Sequence, residues 1–127
     1  MNTHATQVLM IEDCQIAQKV ARFLFGKFEC KLDLATSGNA GIALARTNHY
    51  HLLIVDVGLP DMSGIEAIEH LLAIQSDYRD TPIIALTAHD DDGYKESCLS
   101  AGFTSYYCKP LTHDSACEML ELSRRNR

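Results

Sequence analysis

Short, mostly apolar runs alternate five times with longer amphipathic segments along this chain. The runs are VLMI (8–11), CKLDLA (30–35), HLLIVDV (51–57), PIIALTA (82–88) and FTSYYC (103–108). Apolar runs of this length between helical patterns predict the strands of a parallel sheet that helices cover on both faces. With short connections and right-handed crossovers, the alternation favours a doubly wound α/β fold, and 127 residues suit one such domain.

The segments between these runs have the composition and spacing of helices. They are CQIAQKVARFLFG (14–26), GNAGIALARTNH (38–49), IEAIEHLLAI (65–74), DDDGYKESCLSAG (90–102) and HDSACEMLELSRR (113–125). Apolar residues recur at helical spacing in the first segment: Ile16, Val20, Phe23 and Leu24. Gly26 is a natural stop for that helix.

Charge and cysteine content narrow the class of protein. The formal net charge of −6 argues against a nucleic-acid-binding surface. The five cysteines are odd in number and form no C-x-x-C pair, so we expect reduced thiols of a cytosolic protein. The chain has no apolar run long enough to span a membrane and no signal-peptide pattern at its start, so we expect a cytoplasmic protein.

Polar residues fall at the ends of the predicted strands. Glu12 and Asp13 follow the first strand, and Asp56 ends the third, which is otherwise apolar. Thr87 ends the fourth strand and Lys109 follows the fifth. Because ligands of open parallel sheets bind beyond the carboxyl ends of the strands, we expect these five side chains to meet at one edge.

The chemistry of this set favours a metal and a phosphoryl group. Three carboxylates in close proximity repel one another by about 4 kcal/mol per pair at an effective dielectric constant near 20. A single lysine cannot neutralise them, whereas an all-oxygen carboxylate site suits Mg²⁺. A carboxylate such as Asp56 can attack phosphorus, and Thr87 and Lys109 are donors for phosphoryl oxygens.

Four motifs now specify a family. IED after the first strand, then IVDVGLPDMSG, ALTA and YYCKP, in this order and spacing, resemble the receiver domain of two-component response regulators, such as the chemotaxis regulators. The resemblance covers residues 7 to about 123 and implies that residues 1–127 form a single receiver domain. It also implies a flavodoxin-like fold with five parallel strands in the order 2-1-3-4-5.

The resemblance assigns the acidic residues to a phosphoacceptor and its metal. Asp56 would accept the phosphoryl group. Asp13 would bind Mg²⁺ directly, and Glu12 would act through water. Asp56 and the backbone carbonyl of Gly58 would complete the protein ligands. The resemblance therefore explains why an acid ends an otherwise apolar strand: Asp56 would be the residue that is phosphorylated.

The resemblance also assigns the switch. Thr87 would donate to the phosphoryl oxygen, and Lys109 would pair with it. Tyr106 matches an aromatic residue that turns inward when Thr87 moves. The peptide bond between Lys109 and Pro110 is usually cis in this family.

As a receiver, the chain would be a switch and would catalyse only its own phosphorylation and dephosphorylation. The donor would be a histidine kinase or a histidine phosphotransfer protein. It would be recognised by the first helix, where the candidate side chains are Gln15, Gln18, Lys19 and Arg22. Phosphorylation would change the surface of the fourth helix, fifth strand and fifth helix, which would bind a downstream protein. Receivers often dimerise through this surface, which here includes Tyr94, Lys95, Ser105 and Tyr107.

Two positions near the site would set the lifetime of the phosphoryl group in such a domain. Gly58, two residues after Asp56, offers no side chain, and His89 lies two residues after Thr87. We therefore expect an open site with measurable self-dephosphorylation.

Three alternatives stay open at this point. The chain is either a free-standing regulator or the receiver module of a hybrid sensor kinase, which DVGLPDMSGIEA and ALTAH resemble. An aspartate-nucleophile phosphatase of the haloacid dehalogenase type would need a D-x-D motif on its first strand, and DVG after the third strand lacks the second Asp. A flavin carrier would need a hydroxyl-rich phosphate loop after the first strand, where this chain has EDCQIA.

Overall fold

All five predicted strand–helix pairs are present in the computed structural model, which describes residues 5–74, 78, 80–88 and 92–125. The strands are β1 (Thr6–Ile11), β2 (Cys30–Ala35), β3 (Leu52–Asp56), β4 (Ile83–Thr87) and β5 (Ser105–Cys108). The helices are α1 (Gln15–Phe25), α2 (Gly38–Thr47), α3 (Gly64–Ile74), α4 (Asp92–Ala101) and α5 (His113–Arg125). Each lies within one or two residues of the predicted segment, as is normal for element ends.

The strands form one parallel sheet in the order β2-β1-β3-β4-β5, as predicted. The central strand β3 pairs with β1 on one side and with β4 on the other. Every residue of β3 and β4 is buried, which is why these strands read as continuous apolar runs rather than as alternating ones. The carboxyl ends of β1, β3, β4 and β5 consequently meet at one edge of the sheet.

Each face of the sheet is covered by its own group of helices. One core cluster joins the sheet to α2, α3 and α4 through residues such as Ile42, Ile68 and Cys98. The other joins it to α1 and α5 through residues such as Phe25 and Met119. This is the doubly wound arrangement, and it leaves the carboxyl edge of the sheet free for a functional site.

Helix α1 buries a different side from the one that its apolar spacing favoured. Ala21 and Phe25 are buried, whereas Ile16 is 73% and Phe23 66% exposed. The apolar spacing therefore identified the helix but not its buried face. The apolar side of α1 is broad, since Gln15, Gln18, Lys19 and Arg22 share one side and the other residues are apolar. The choice of the buried part of that side depends on the fit of Ala21 and Phe25 against the sheet.

The loop between β3 and α3 provides capping groups for two helices. Asp61 accepts hydrogen bonds from the backbone N–H groups of Gly38 and Asn39, both at 2.9 Å, at the start of α2. These donors lower the pKa of Asp61. Ser63 Oγ accepts from the N–H of Glu66 at 3.1 Å, and Glu66 Oε1 accepts from the N–H of Ser63 at 3.2 Å, forming a capping box.

Gly64, the first residue of α3, is required by a close approach. A Cβ atom there would lie 2.5 Å from Val57 Cγ1 and 2.8 Å from the Val57 Cα. The N–H of Gly64 also donates to the carbonyl of Val57 at 3.2 Å. The helix start is therefore packed directly against the residue that follows Asp56.

No helix in the described part of the chain combines the length and the apolar character that a bilayer crossing requires. All five cysteines are free thiols. Only Cys98 is fully buried, while Cys14 and Cys108 are exposed.

We predict that Ser63→Ala lowers the free energy of unfolding by about 1 kcal/mol, because it removes the oxygen that caps the first turn of α3. Urea denaturation measures the difference. Ser100→Ala is the matched control, since Ser100 is exposed on α4 and Ala is the better helix former. An equal loss in both variants would contradict a capping role for Ser63.

Candidate functional site

The five polar residues predicted to meet at the edge of the sheet line one cleft. Its volume is about 850 Å³. The described residues that line it are Glu12, Asp13, Cys14, Asp56, Val57, Gly58, Thr87, Ala88, Tyr94 and Lys109. The prediction that these five side chains converge is confirmed. The cleft also includes four residues that the sequence did not single out as lining it: Cys14, Val57, Ala88 and Tyr94.

Backbone hydrogen bonds one residue beyond the strands hold the cleft residues in place. The N–H of Glu12 donates to the carbonyl of Ala35 at 2.9 Å. The N–H of Lys109 donates to the carbonyl of Thr87 at 2.7 Å. Each bond continues a parallel ladder past its last strand residue, so the sheet itself fixes where these side chains begin.

Three carboxylates share a small volume in the cleft. Glu12, Asp13 and Asp56 each offer an oxygen, and these atoms all lie within 4.8 Å of one another. Glu12 is fully buried and Asp56 is 5% exposed, whereas Asp13 is exposed. At this separation each pair repels by about 3.5 kcal/mol at an effective dielectric constant near 20. The group therefore requires compensating positive charge.

Lys109 supplies part of that charge to the two buried acids. Its Nζ lies 2.9 Å from Glu12 Oε1 and 3.1 Å from Asp56 Oδ2. Burial lowers the pKa of Lys109, but its hydrogen bonds to Glu12 and Asp56 outweigh burial and raise the pKa overall. The lysine is therefore a cation in the cleft and bridges two elements of the sheet edge.

Glu12 is less well satisfied than Asp56. Burial, together with the neighbouring Asp56, raises the pKa of Glu12 more than Lys109 and the N–H of Cys14 lower it. Glu12 Oε2 accepts from that N–H at 3.1 Å, while the buried Oε1 relies on its contact with the ammonium of Lys109. One lysine thus leaves this acidic group under-compensated, which fits a divalent cation.

Asp56 is oriented by two donors. Its Oδ2 accepts from Lys109 Nζ at 3.1 Å, and its Oδ1 accepts from the backbone N–H of Gly58 at 2.9 Å. The N–H of Val57 donates to the carbonyl of Leu86 at 3.1 Å, which ties the turn after Asp56 to β4. The carboxylate is consequently held in one orientation at the floor of the cleft.

Two tyrosines that the sequence singled out pack against the same core cluster, and one of them also lines the cleft. Tyr106 is half-buried on β5 and packs against the core under α2, α3 and α4. Tyr94 was expected on the outer surface of α4, but it packs against the same core and lines the cleft. The sequence offered no signal for this position, because α4 is only weakly amphipathic.

Two further features of the motifs can be located. The peptide bond between Lys109 and Pro110 is cis, as the family resemblance implies. Gly58 lies in the cleft lining. His89, the other position expected to set the phosphoryl lifetime, lies outside the described residues.

Comparison with known proteins places this geometry in a family. The model of the response regulator receiver domain matches residues 8–121. Among curated relatives, the signal transduction histidine-protein kinase BarA of Shigella flexneri is 34% identical over 112 residues, which cover 87% of this chain and 12% of the kinase. The chain therefore spans a small part of the length of that relative.

Two solved structures have the same fold. The receiver domain of a sensor histidine kinase from Pseudomonas aeruginosa, with a magnesium ion coordinated in its active-site cleft, superposes with a TM-score of 0.80 at 29% identity, covering 95% of this chain and 96% of that one. The second is the receiver domain of a Saccharomyces cerevisiae response regulator, co-crystallised with a histidine phosphotransfer signalling protein. It gives a TM-score of 0.84 at 25% identity, covering 94% and 90% of the two chains. This chain belongs to the response-regulator receiver domain family, and it is a receiver domain of phosphorelay signalling.

Proposed function

We propose that this domain is switched by transfer of a phosphoryl group from a phosphohistidine to Asp56. The observation that best supports the proposal is the bridging of Asp56 and Glu12 by Lys109 at the floor of an open cleft. This ion pair faces a cleft whose volume of about 850 Å³ is large enough for a phosphoryl group. Family membership argues against the phosphatase and the flavin carrier.

The residues of the cleft fit a magnesium ion. Glu12, Asp13 and Asp56 form an all-oxygen group that Lys109 alone does not neutralise, and Gly58 adds a backbone carbonyl in the lining. A related receiver has magnesium in the corresponding cleft. We propose that these four residues hold Mg²⁺, which when bound supplies positive charge to the phosphoryl oxygens.

The chemistry of the chain's own groups is a single displacement. An oxygen of Asp56 attacks phosphorus, the bond from phosphorus to the donor's imidazole nitrogen breaks, and its electron pair stays on that nitrogen. Lys109 exchanges part of its contact with Asp56 for a phosphoryl oxygen, and the hydroxyl of Thr87 donates to another. Catalysis is then positioning plus charge neutralisation.

The output is a change of binding surface. In this proposal Thr87 moves toward the phosphoryl group, and Tyr106, on the neighbouring strand, turns into the space that it leaves. Phosphorylation shifts the equilibrium between two conformations of the surface formed by α4, β5 and α5. The favoured conformation binds a downstream protein target or a second copy of the chain. A differential interaction of a few kcal/mol between two states suffices for such a shift.

The donor would dock on α1, where three of the four exposed large apolar side chains in the described part of the chain lie. Ile16, Val20 and Phe23 are 73%, 37% and 66% exposed and recur at helical spacing on one side of the helix. Next to them an apolar groove of about 230 Å³ runs over Pro110 and Leu111.

The groove adjoins the cleft. Glu12, Cys14 and Lys109 line both of them, so a protein seated on α1 would lie next to the cleft that holds Asp56. Of the polar candidates on α1, Gln18 is already engaged, since its side chain donates to the carbonyl of Glu12 at 2.7 Å. We therefore assign the main contact area to the apolar side and keep Gln15, Lys19 and Arg22 as its rim.

Whether the chain acts alone or as a module of a hybrid kinase does not alter this chemistry. Its relatives include a full-length kinase of which it covers 12%. In either setting we propose that the domain works in the cytoplasm, facing a histidine kinase or a histidine phosphotransfer protein.

Incubation with acetyl phosphate and Mg²⁺ should add one phosphoryl group to the wild-type domain, measured by intact mass. Asp56→Asn should remove the adduct, because it removes the nucleophile. Asp114→Asn, at an exposed position on α5, is the matched control and should keep the adduct. A chelator should abolish it in all variants.

An adduct that survives in Asp56→Asn would show that another residue is the acceptor. Absence of any adduct in the wild type would leave fast hydrolysis as one explanation, which beryllofluoride binding tests. Failure to bind beryllofluoride as well would contradict the proposed function.

Phe23→Ala should slow transfer from a protein donor but leave the reaction with acetyl phosphate unchanged. Loss of a buried phenyl contact costs about 2 kcal/mol, which corresponds to roughly a thirtyfold lower transfer rate below saturation. The donor is the yeast histidine phosphotransfer protein in its phosphohistidine form. Leu99→Ala, an exposed apolar residue on α4, is the control. Equal losses with both donors would contradict docking on α1.

A further inference from the structure

We infer that the ring of Tyr94 walls the cleft on the α4 side and sets how long Asp56 stays phosphorylated. The inference rests on the proposed function and adds to it a residue that no motif singles out. Among the described residues that line the cleft, Tyr94 is the one aromatic side chain. It stands near the start of α4.

The position of Tyr94 is fixed by packing against the hydrophobic core. The residue is half-buried and packs against the core cluster that joins the sheet to α2, α3 and α4. Tyr106 packs against the same cluster. Burial raises the pKa of the Tyr94 hydroxyl, and proximity to Cys98, Tyr106 and Asp56 raises it further. The side chain therefore spans from the core to the neighbourhood of the phosphoacceptor.

Gly58 leaves space in the cleft. Among the described residues, a Cβ atom added at Gly58 would meet only Asp56 Oδ1, at 3.6 Å. Ala88, beside Thr87, contributes only a methyl group to the lining. Because these two positions offer little bulk, Tyr94 is the largest uncharged obstacle to solvent in the described part of the cleft.

The reaction that Tyr94 would slow is hydrolysis of the aspartyl phosphate. Water adds to phosphorus on the side opposite the Asp56 oxygen, and the bond from phosphorus to that oxygen breaks with its electron pair remaining on the carboxylate. The proton of the water leaves with inorganic phosphate or passes to solvent. The attacking water must enter through the cleft, so a ring at its wall reduces the positions from which water can attack.

The test compares the wild type with Tyr94→Ala, Tyr94→Leu, Tyr94→Phe and the control Leu99→Ala, which lies on the same helix. Each protein is phosphorylated with acetyl phosphate and Mg²⁺, the donor is removed by gel filtration, and decay of the adduct is followed by intact mass. Tyr94→Ala should decay about tenfold faster, a change of about 1.4 kcal/mol in the activation barrier. Tyr94→Leu should lie between, and Tyr94→Phe should remain close to the wild type.

Each other outcome overturns the inference. Equal or slower decay in Tyr94→Ala would show that the ring excludes no productive water. Decay of Tyr94→Phe as fast as that of Tyr94→Ala would assign the effect to the hydroxyl rather than to the ring. Acceleration in Leu99→Ala would indicate general loosening of α4.

Two controls separate this result from other failures. If Tyr94→Ala does not fold, as judged by urea denaturation, Tyr94→Leu decides, since it keeps apolar bulk against the core. A wild type that forms no adduct and does not bind beryllofluoride would overturn the proposed function itself, whereas an adduct with unchanged decay in the variants would overturn the inference alone.

Discussion

The ion-pair bridge from Lys109 to Glu12 and Asp56 is the interaction around which the carboxyl edge of the sheet is organised. Two buried carboxylates at the ends of neighbouring strands cannot stay charged without a cation between them. Lys109 can reach both because its own backbone is tied to the end of β4 by a bond of 2.7 Å. The sheet thus fixes the positions of these side chains, and the ammonium of Lys109 reduces the repulsion between the two carboxylates.

The rest of the fold makes the sheet under this edge rigid and leaves the cleft at the edge open. Two separate cores clamp the sheet, and β3 and β4 are buried along their whole length. The loop after Asp56 is held by the caps of Asp61 and Ser63 and by the close contact of Gly64 with Val57. Large apolar burial therefore stabilises a site whose own electrostatics are unfavourable without further positive charge.

The sequence was sufficient for the fold and for the residues that meet in the cleft, and the reason is geometric. Parallel strands end on one side of a sheet, so a polar residue directly after an apolar run must point to a common edge. Glu12, Asp56, Thr87 and Lys109 all have this signature. The bounds of β2 and α5 matched the predicted segments at both ends.

What the sequence did not predict depends on contacts between distant segments. The buried part of α1 is chosen by the fit of Ala21 and Phe25 to the sheet, because the apolar side of this helix is broader than the sheet can cover. Tyr94 faces the cleft because of how α4 rests on the core, which its weak amphipathic pattern does not encode. The capping box of Ser63 and Glu66 was detectable from its S-x-x-E spacing, but the link from Asp61 to α2 spans 22 and 23 residues and has no local signal.

The shared position of Lys109 also gives a physical route from the proposed phosphorylation to the surface. Its ammonium is divided between Glu12, which stays as it is, and Asp56, which would gain about one further negative charge with a phosphoryl group. At separations near 3 Å such a change alters the balance of the ammonium's contacts by several kcal/mol. Lys109 directly follows β5, the strand of Tyr106, so a new position of the ammonium would act on a strand of the proposed output surface. The residue that makes the resting site tolerable is therefore the one best placed to transmit its modification.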